Sequence, residues 1–237
     1  MIRLVIFDVW DTLLSLEGMQ NALASKLHGV LGIKSREEIL EAIKAVRDEV
    51  RSLRVYEVSA SEVVPTSRIR LCNKLGIGLE DFLRVHEILV SEAKEGKLNH
   101  LVIDDVDYVM SYIKNAGLKV AVLGNVLLWD SIVTESILNS SGLGKFVDRY
   151  FFSDRLGLQK PEFEAFANVL KSFGVKAGEA IHVGDNVRED FGGALAAGLK
   201  AILINRKVRS GPLMFEEFAV VPEIKYVAHV IDEWIRR

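Results

Sequence analysis

Leu4-Val5-Ile6-Phe7 is an unbroken apolar run that ends at Asp8. A short run of this kind, without polar alternation, is typical of a parallel strand that is buried on both faces. Four later runs have the same form and are also followed by polar residues: residues 120–123, 150–152, 180–183 and 201–204. We therefore predict five parallel strands in one sheet.

Helical periodicity fills the segments between these strands. Two helix faces are predicted from apolar residues three and four positions apart, namely Val106, Val109, Met110 and Ile113, and Phe163, Phe166, Leu170 and Phe173. A further helix is predicted over residues 188–197, which Gly198 follows. Because strands and helices alternate, we expect an α/β fold with a doubly wound, three-layer parallel sheet.

Residues 15–97 show a different pattern, without a convincing strand. Ser35 and Glu38 match the capping box of a helix start, and apolar residues follow them at helical spacing. We predict that residues 15–97 form an all-helical domain inserted after the first strand. Residues 1–14 and 98–237 would then form the core.

Three arginines of the inserted segment, Arg47, Arg51 and Arg54, share one helical face. We interpret this face as solvent-exposed, with its arginines paired to Asp48 and Glu49. Selection of an anionic substrate is the alternative interpretation.

The composition excludes several classes of protein. The chain has 237 residues, of which 49% are apolar and 27% charged, as in ordinary globular proteins. A net charge of −3 provides no basic field for nucleic acid, and no apolar stretch is long enough for a membrane span. Asp8 ends the first apolar run too early for a signal peptide, and the single cysteine cannot form an internal disulfide. We expect a soluble, cytoplasmic protein without nucleic-acid or membrane partners; its oligomeric state stays open.

Polar side chains follow the predicted strands at the edge where parallel sheets bind ligands. Asp8 follows the first strand, Asn125 the second and Asp185 the fourth, while Lys160 lies beyond the third. Carboxylates that converge on one crevice repel each other unless they are protonated or bridged by a cation. An all-oxygen site of this kind suits Mg²⁺ together with a substrate phosphate. The residues alone therefore favour metal-assisted phosphoryl transfer to a carboxylate.

Four segments resemble, in order and spacing, the motifs of the haloacid dehalogenase-like (HAD) hydrolase superfamily. They are Phe7-Asp8-Val9-Trp10-Asp11-Thr12-Leu13, Val122-Leu123-Gly124-Asn125, Lys160-Pro161 and Gly184-Asp185-Asn186-Val187-Arg188-Glu189-Asp190. Each segment alone is weakly specific, but the four together, each at a predicted strand end, are specific. The helical insertion lies where subfamily I members carry a C1 cap, so that the resemblance covers the whole chain.

The resemblance implies a metal-dependent phosphohydrolase, residue by residue. Asp8 would be the nucleophile that forms an aspartyl-phosphate, and Thr12 would brace its loop. The N–H of Gly124 and the side chains of Asn125 and Lys160 would bind and orient the transferring phosphate. The implied Mg²⁺ ligands are the carboxylates of Asp8 and Asp185, the backbone carbonyl of Trp10, and Asp190 as a nearby ligand or a hydrogen-bond partner of one.

Two positions depart from the family pattern. Members that act as phosphatases usually carry a second Asp two residues after the nucleophile, which protonates the leaving oxygen and then activates water. That position is Trp10 here, and the loss of general acid–base help is expected to cost about 10²–10⁴ in rate. The second motif normally has Ser or Thr where this chain has Gly124, so that one hydroxyl contact to phosphate, worth about 1 kcal/mol, is missing.

Three interpretations of Trp10 stay open. Asp11 or a carboxylate of the cap replaces the acid, the substrate is an acyl or aryl phosphate that needs none, or the protein has lost turnover and only binds. The leading prediction is a phosphatase for a small phosphorylated metabolite. The alternatives are a catalytically impaired binding or regulatory protein and a metal-independent 2-haloacid dehalogenase, a class with Tyr at the Trp10 position. Asp185 supplies the metal carboxylate that those dehalogenases lack, which favours phosphate chemistry.

Overall fold

Seven strands form one sheet in the part of the chain that the computed structural model describes, residues 1–54 and 58–236. They are β1 (Leu4–Phe7), β2 (Lys119–Gly124), β3 (Arg149–Phe152), β4 (Ala180–Gly184), β5 (Lys200–Ile204), β6 (Leu213–Met214) and β7 (Phe218–Val221). Their order across the sheet is β3-β2-β1-β4-β5-β7-β6. Neighbouring strands are parallel except β6 and β7, which pair antiparallel.

Ten α-helices lie in the same described ranges. They are α1 (Leu16–Leu31), α2 (Arg36–Leu53), α3 (Val63–Leu75), α4 (Leu79–Lys94), α5 (Val106–Asn115), α6 (Ser131–Ser140), α7 (Ser153–Leu156), α8 (Phe163–Phe173), α9 (Gly193–Ala196) and α10 (Lys225–Arg236). A π-helical turn, Val187–Gly192, leads into α9. Of the helices described here, none combines the length with the apolar composition that is required to cross a membrane.

Alternation along the strands divides the core into two layers of side chains, one on each face of the sheet. Val5 and Phe7 of β1 belong to one apolar cluster, which includes buried residues of α5 and α10. Leu4 and Ile6 belong to the other cluster, with α8 and α9. Helices therefore cover both faces of the sheet, and the predicted doubly wound α/β fold is confirmed. Burial on both faces also explains why the strands are continuous apolar runs.

All five predicted strands are present, but the sheet has two more strands than the sequence pattern indicates. The pattern does not predict β6 and β7, because the alternation of strand and helix stops after β5 in the described chain. Two details of the helix predictions are wrong. Phe163 begins α8 and is 58% exposed, so that it is not part of the buried face. Residues 188–197 do not form one α-helix, because the π-helical turn occupies their first half.

Four helices, α1–α4, follow one another between β1 and α5, with no strand among the residues described there. The predicted capping box is present: the Glu38 N–H donates to Ser35 Oγ at 3.2 Å, and the Ser35 N–H donates to Glu38 Oε2 at 2.7 Å. Arg68 of α3 contacts the segment that follows β2, because its Nε donates to the Leu128 carbonyl at 3.1 Å. The division into a cap at residues 15–97 and a core stays a prediction.

Candidate active site

The polar residues at the carboxyl ends of the central strands lie side by side. β1 runs between β2 and β4, with Phe7 in register with both Val122 and Val183. Asp8 follows directly, and its N–H donates to the Val183 carbonyl at 2.9 Å. The strand order reverses direction at β1, which is where open α/β sheets bind ligands.

A tight loop presents the Asp8 side chain. The N–H groups of residues 12–14 all donate to the Val9 carbonyl, at 2.7–3.2 Å. Asp11 adopts a left-handed conformation, φ +59°, which Asp tolerates better than most residues, and its carboxylate accepts the first N–H of α1 at 3.0 Å. The Thr12 hydroxyl donates to Asp8 Oδ2 at 3.4 Å. The loop thus holds Asp8 through its backbone, and Thr12 adds one long side-chain contact.

Lys160 brings a positive charge to this loop. It is only 2% exposed, and its Nζ donates to Asp8 Oδ1 and to Asp190 Oδ1, both at 2.6 Å. Burial would lower the pKa of Lys160, but the two carboxylates outweigh burial and raise this pKa above its usual range. The lysine is therefore protonated at neutral pH and bridges the two acids.

Asp190 accepts hydrogen bonds at both of its carboxylate oxygens. Besides the lysine, Oδ1 lies 3.0 Å from His182 Nε2, and Oδ2 accepts the Asn186 N–H at 3.0 Å. Burial opposes ionisation, but the charge of Lys160 and the His182 hydrogen bond outweigh it and lower the pKa of Asp190. A glycine is needed at Gly184 for this approach, because a Cβ there would lie 2.3 Å from the Asp190 carboxyl carbon.

Asp8, Asp185 and Asp190 form an acidic cluster in which one carboxylate oxygen of each residue lies within 4.8 Å of the others. Burial raises the pKa of Asp8 to about 8. Burial and the charge of Asp190 raise the pKa of Asp185 to about 6. A bound cation would favour the ionised forms that burial disfavours, and oxygen donors at this spacing fit Mg²⁺.

Asn125 is engaged with the backbone of Lys160. Its Oδ1 accepts the Lys160 N–H at 2.9 Å, and its Nδ2 donates to the Lys160 carbonyl at 2.9 Å and to Glu189 Oε2 at 3.0 Å. The side-chain amide therefore fixes the position of the lysine.

Gly124 ends β2 against a buried aromatic ring. A Cβ at this position would lie 2.9 Å from Phe152 Cδ1 and 3.4 Å from Val9 Cγ2. Phe152 is 1% exposed, and side chains in a close-packed core have little room to move. The ring of Phe152 therefore occupies the space that a side chain at position 124 would need.

We expect Gly124→Ser to destabilise the protein by about 1–3 kcal/mol, because the new side chain overpacks the core against Phe152. Urea unfolding of Gly124→Ser, Phe152→Leu and the double variant measures this. Since leucine makes room for the serine, the double variant should be less destabilised than the sum of the two single variants. Additive effects would contradict the coupling.

Trp10 and Trp129 form an aromatic wall near Asp8. Their ring centroids are 5.1 Å apart and the ring planes are at 76°, an edge-to-face contact. Both residues line a cleft with about 680 Å³ of empty volume, partly open to solvent, that also contains the acidic cluster. Two further carboxylates of the described chain line this cleft, Asp11 and Glu189, and both already accept hydrogen bonds.

The three arginines at the end of α2 and directly after it line the same cleft, so the interpretation of a solvent-exposed face is wrong for Arg51 and Arg54. Arg51 Nε donates to Glu189 Oε1 at 3.2 Å. Arg54, whose side chain is 6% exposed, has a guanidinium nitrogen 3.8 Å from Glu189 Oε2 and donates to the Val126 carbonyl. Arg47 keeps the predicted local partner, Asp48, at 3.9 Å. Glu49 instead pairs with another arginine, Arg70 of α3.

Glu189 is the site residue to which sequence reasoning assigns no role. It is buried and connects Arg51 and Arg54 to Asn125, which directly follows β2. The sequence signal that could have indicated a role in the site is its position directly before Asp190 in the last motif. The partner that explains it lies far away in sequence, on α2.

The chain matches the haloacid dehalogenase-like hydrolase family over residues 2–198, most of its length. The matched region spans Asp8, Asn125, Lys160 and Asp185, which the structure brings to one edge of the sheet. The chain therefore belongs to this family of hydrolases, and the resemblance of its motifs is confirmed.

Individual relatives are distant. The glyceraldehyde 3-phosphate phosphatase of Methanopyrus kandleri is 26% identical over 216 residues, which cover 87% of this chain and 85% of that protein. The phosphatase of the same name from Methanothermobacter thermautotrophicus is 29% identical over 99 residues, only 40% of this chain and 41% of the relative's length. The solved structure of the HAD-hydrolase YfnB from Bacillus subtilis has a TM-score of 0.75 and 22% identity, and the match covers 98% of this chain and 99% of that one. That likeness concerns the fold.

Proposed function

We propose that the protein is a Mg²⁺-dependent phosphohydrolase that acts in the cytoplasm on a small phosphorylated metabolite, through an aspartyl-phosphate on Asp8. One observation carries the proposal: the Asp8 carboxylate lies at a strand end, 2.6 Å from the Lys160 ammonium and beside two further acids. A carboxylate in such a place can attack phosphorus while fixed positive charge stabilises the transferring group. The phosphatase of M. kandleri, which aligns with most of the chain, supports the same reaction class.

Asp8, Asp185 and the backbone carbonyl of Trp10 would hold the Mg²⁺ ion. When bound, the ion supplies positive charge that offsets the charge of the phosphate and the carboxylates. Asp190 is a further candidate ligand, but both of its oxygens already accept hydrogen bonds. We therefore assign it mainly to orienting Lys160.

The residues of the chain carry the two steps of the reaction. In the first step an Asp8 oxygen bonds to phosphorus while the bond from phosphorus to the leaving oxygen breaks. The charge of Lys160 opposes the rise that burial causes in the pKa of Asp8, and its ammonium is placed to hold a phosphate oxygen. Asn125 fixes the backbone of the lysine. In the second step water attacks phosphorus, which releases inorganic phosphate and a proton and regenerates Asp8.

Trp10 determines which leaving groups are suitable. Its indole cannot donate a proton to the leaving oxygen, and the nearby carboxylates of Asp11 and Glu189 are engaged in hydrogen bonds. The leaving group would therefore depart as an anion, which is fast only for weak bases. We propose acyl or aryl phosphates, rather than simple alkyl phosphates, as the preferred substrates.

Turnover of acetyl phosphate and p-nitrophenyl phosphate is expected to require Mg²⁺ and to disappear on chelation, because unshielded carboxylates would repel the phosphate. Phosphate release with Mg²⁺, with EDTA, and with EDTA followed by excess Mg²⁺ measures this, and the last condition controls for irreversible damage.

Two other outcomes would replace the proposal. Halide release from 2-chloropropionate in EDTA would identify a dehalogenase. Tight Mg²⁺-dependent phosphate binding, without turnover of any phosphate ester or acyl phosphate in a broad panel, would identify a binding protein.

A further inference from the structure

Three buried hydrogen-bond donors in the lining of the cleft have no acceptor among the described residues. Gln20 Nε2, Arg54 Nε and Trp129 Nε1 are shielded from solvent and have no hydrogen-bond partner among the described residues. All three side chains belong to the lining of the cleft, and Gln20 is only 3% exposed. Buried donors in native proteins nearly always have an acceptor. Three of them around one cleft indicate that an acceptor-rich group binds there.

Positively charged side chains line the same cleft, next to its acidic cluster. Arg47, Arg51 and Arg54 line it. Glu189 is the buried carboxylate that faces them, and it contacts Arg51 and Arg54. In the described chain Arg47 is paired only with Asp48, an exposed residue 3.9 Å away. Asp48 and Glu189 occupy only part of the guanidinium donors of these three arginines, so that the remaining donors are suited to a further anion.

We propose that this face, formed by Gln20, Arg47, Arg51, Arg54 and Trp129, binds a second anionic group of the substrate, a carboxylate or a second phosphate. The proposal rests on the proposed phosphatase function and names the class of its substrate. The phosphate to be transferred lies at Asp8, the second anion lies at the arginines, and the aromatic wall of Trp10 and Trp129 lines the space near them. A carboxylate or phosphate presents several lone pairs, which the unpaired donors and the guanidinium groups can share.

A pair of matched substrates tests the proposal. 4-Carboxyphenyl phosphate and 4-carbamoylphenyl phosphate have similar size and release similar aryl oxides, but only the first carries a second anion. We expect kcat/KM to be about 10- to 100-fold higher for the carboxylate, the factor that charge-assisted hydrogen bonds supply. A third substrate, 1,4-phenylene bisphosphate, carries a phosphate in place of the carboxylate. Its kcat/KM relative to that of 4-carboxyphenyl phosphate shows which of the two anions is preferred.

Two variants of α2 provide the matched control. Arg47→Gln removes a guanidinium from the cleft without touching the contacts of Glu189, and should reduce the preference for the second anion by about tenfold. Lys44→Gln removes the same charge from an exposed position of α2 outside the cleft lining, and should leave the preference as it is. An equal effect of both variants would point to the overall charge of the cap and would overturn the proposal.

Gln20→Leu separates a ligand-binding role from a structural one. Because Nε2 has no partner in the described chain, its removal should not lower the thermal unfolding midpoint, whereas KM for 4-carboxyphenyl phosphate should rise by about tenfold. A lower midpoint with unchanged KM would contradict the proposal.

Failure of the inference can be told apart from failure of the proposed function. If both esters are hydrolysed equally well and Arg47→Gln affects both alike, the arginines serve the transferring phosphate and the inference is wrong. If neither ester is hydrolysed, the proposed function fails, and calorimetric binding of the matching non-hydrolysable aryl phosphonates decides the inference. Tighter binding of the carboxylated phosphonate supports a second-anion site, and equal binding overturns it.

Discussion

Asp8→Asn is expected to lower turnover of p-nitrophenyl phosphate by about 10⁴-fold or more, because an amide oxygen cannot form the acyl-phosphate bond on which both steps depend. The fold should persist. Asparagine has nearly the same size as aspartate, and its Oδ1 can still accept the Lys160 hydrogen bond that the carboxylate accepts. The substitution also removes a carboxylate whose pKa burial raises to about 8. Phosphate release and the unfolding midpoint of the same preparation measure the two effects separately.

Asp11→Asn is the matched control for this experiment. It changes a carboxylate of the same loop into an amide whose oxygen can still accept the first N–H of α1. We expect this variant to keep turnover within a few-fold of the unsubstituted protein. A loss as large as that of Asp8→Asn would identify Asp11 as the missing acid, and retained turnover in Asp8→Asn would remove Asp8 as the nucleophile.

Trp10→Asp is expected to raise hydrolysis of phosphates with poor leaving groups by about 10²-fold, the lower end of what general acid catalysis contributes. The lower end is appropriate because the indole contact with Trp129 is lost and leaves the new side chain loosely held. p-Nitrophenyl phosphate, which releases a weak base, should gain much less. Steady-state kinetics with glycerol 3-phosphate and p-nitrophenyl phosphate give the comparison.

Trp10→Asn controls for the change in shape. It opens the same space beside Trp129 but has no proton to donate, so that it should not accelerate the poor leaving group selectively. If Trp10→Asp affects both substrates equally, or if Trp10→Asn reproduces its effect, the absent acid is not what limits the enzyme.

The sequence predicts well which polar residues meet at the carboxyl edge of the sheet, for a physical reason. A strand that is buried on both faces has a continuous apolar pattern, and the first polar residue after it marks the carboxyl end of the strand. This pattern assigns Asp8, Asn125 and Asp185 to one edge of the sheet. The strand order then brings β1 between β2 and β4, and the carboxylates of Asp8 and Asp185 meet there.

The contacts of the cleft arginines could not be predicted in the same way. Local charge pairing suggests Asp48 and Glu49 as partners for the arginines of α2, since these residues are close in sequence. The partner of Arg51 and Arg54 is instead Glu189. Residues that are more than 100 positions apart, as Arg51 and Glu189 are, leave no periodic signal in the sequence. The fit of Phe152 against Gly124 is of the same kind, because it depends on the packing between two neighbouring strands.

Formation of the covalent intermediate on Asp8 tests the central claim most directly. Acid quenching during turnover of acetyl phosphate with Mg²⁺, followed by mass spectrometry of the protein and its peptides, measures it. We expect the mass of one phosphoryl group on the peptide that contains Asp8, absent with EDTA and in Asp8→Asn. Because Trp10 cannot activate water, this intermediate should accumulate early in turnover. Sustained turnover without any phosphorylated peptide, or with the phosphoryl group on another residue, would contradict the proposed mechanism.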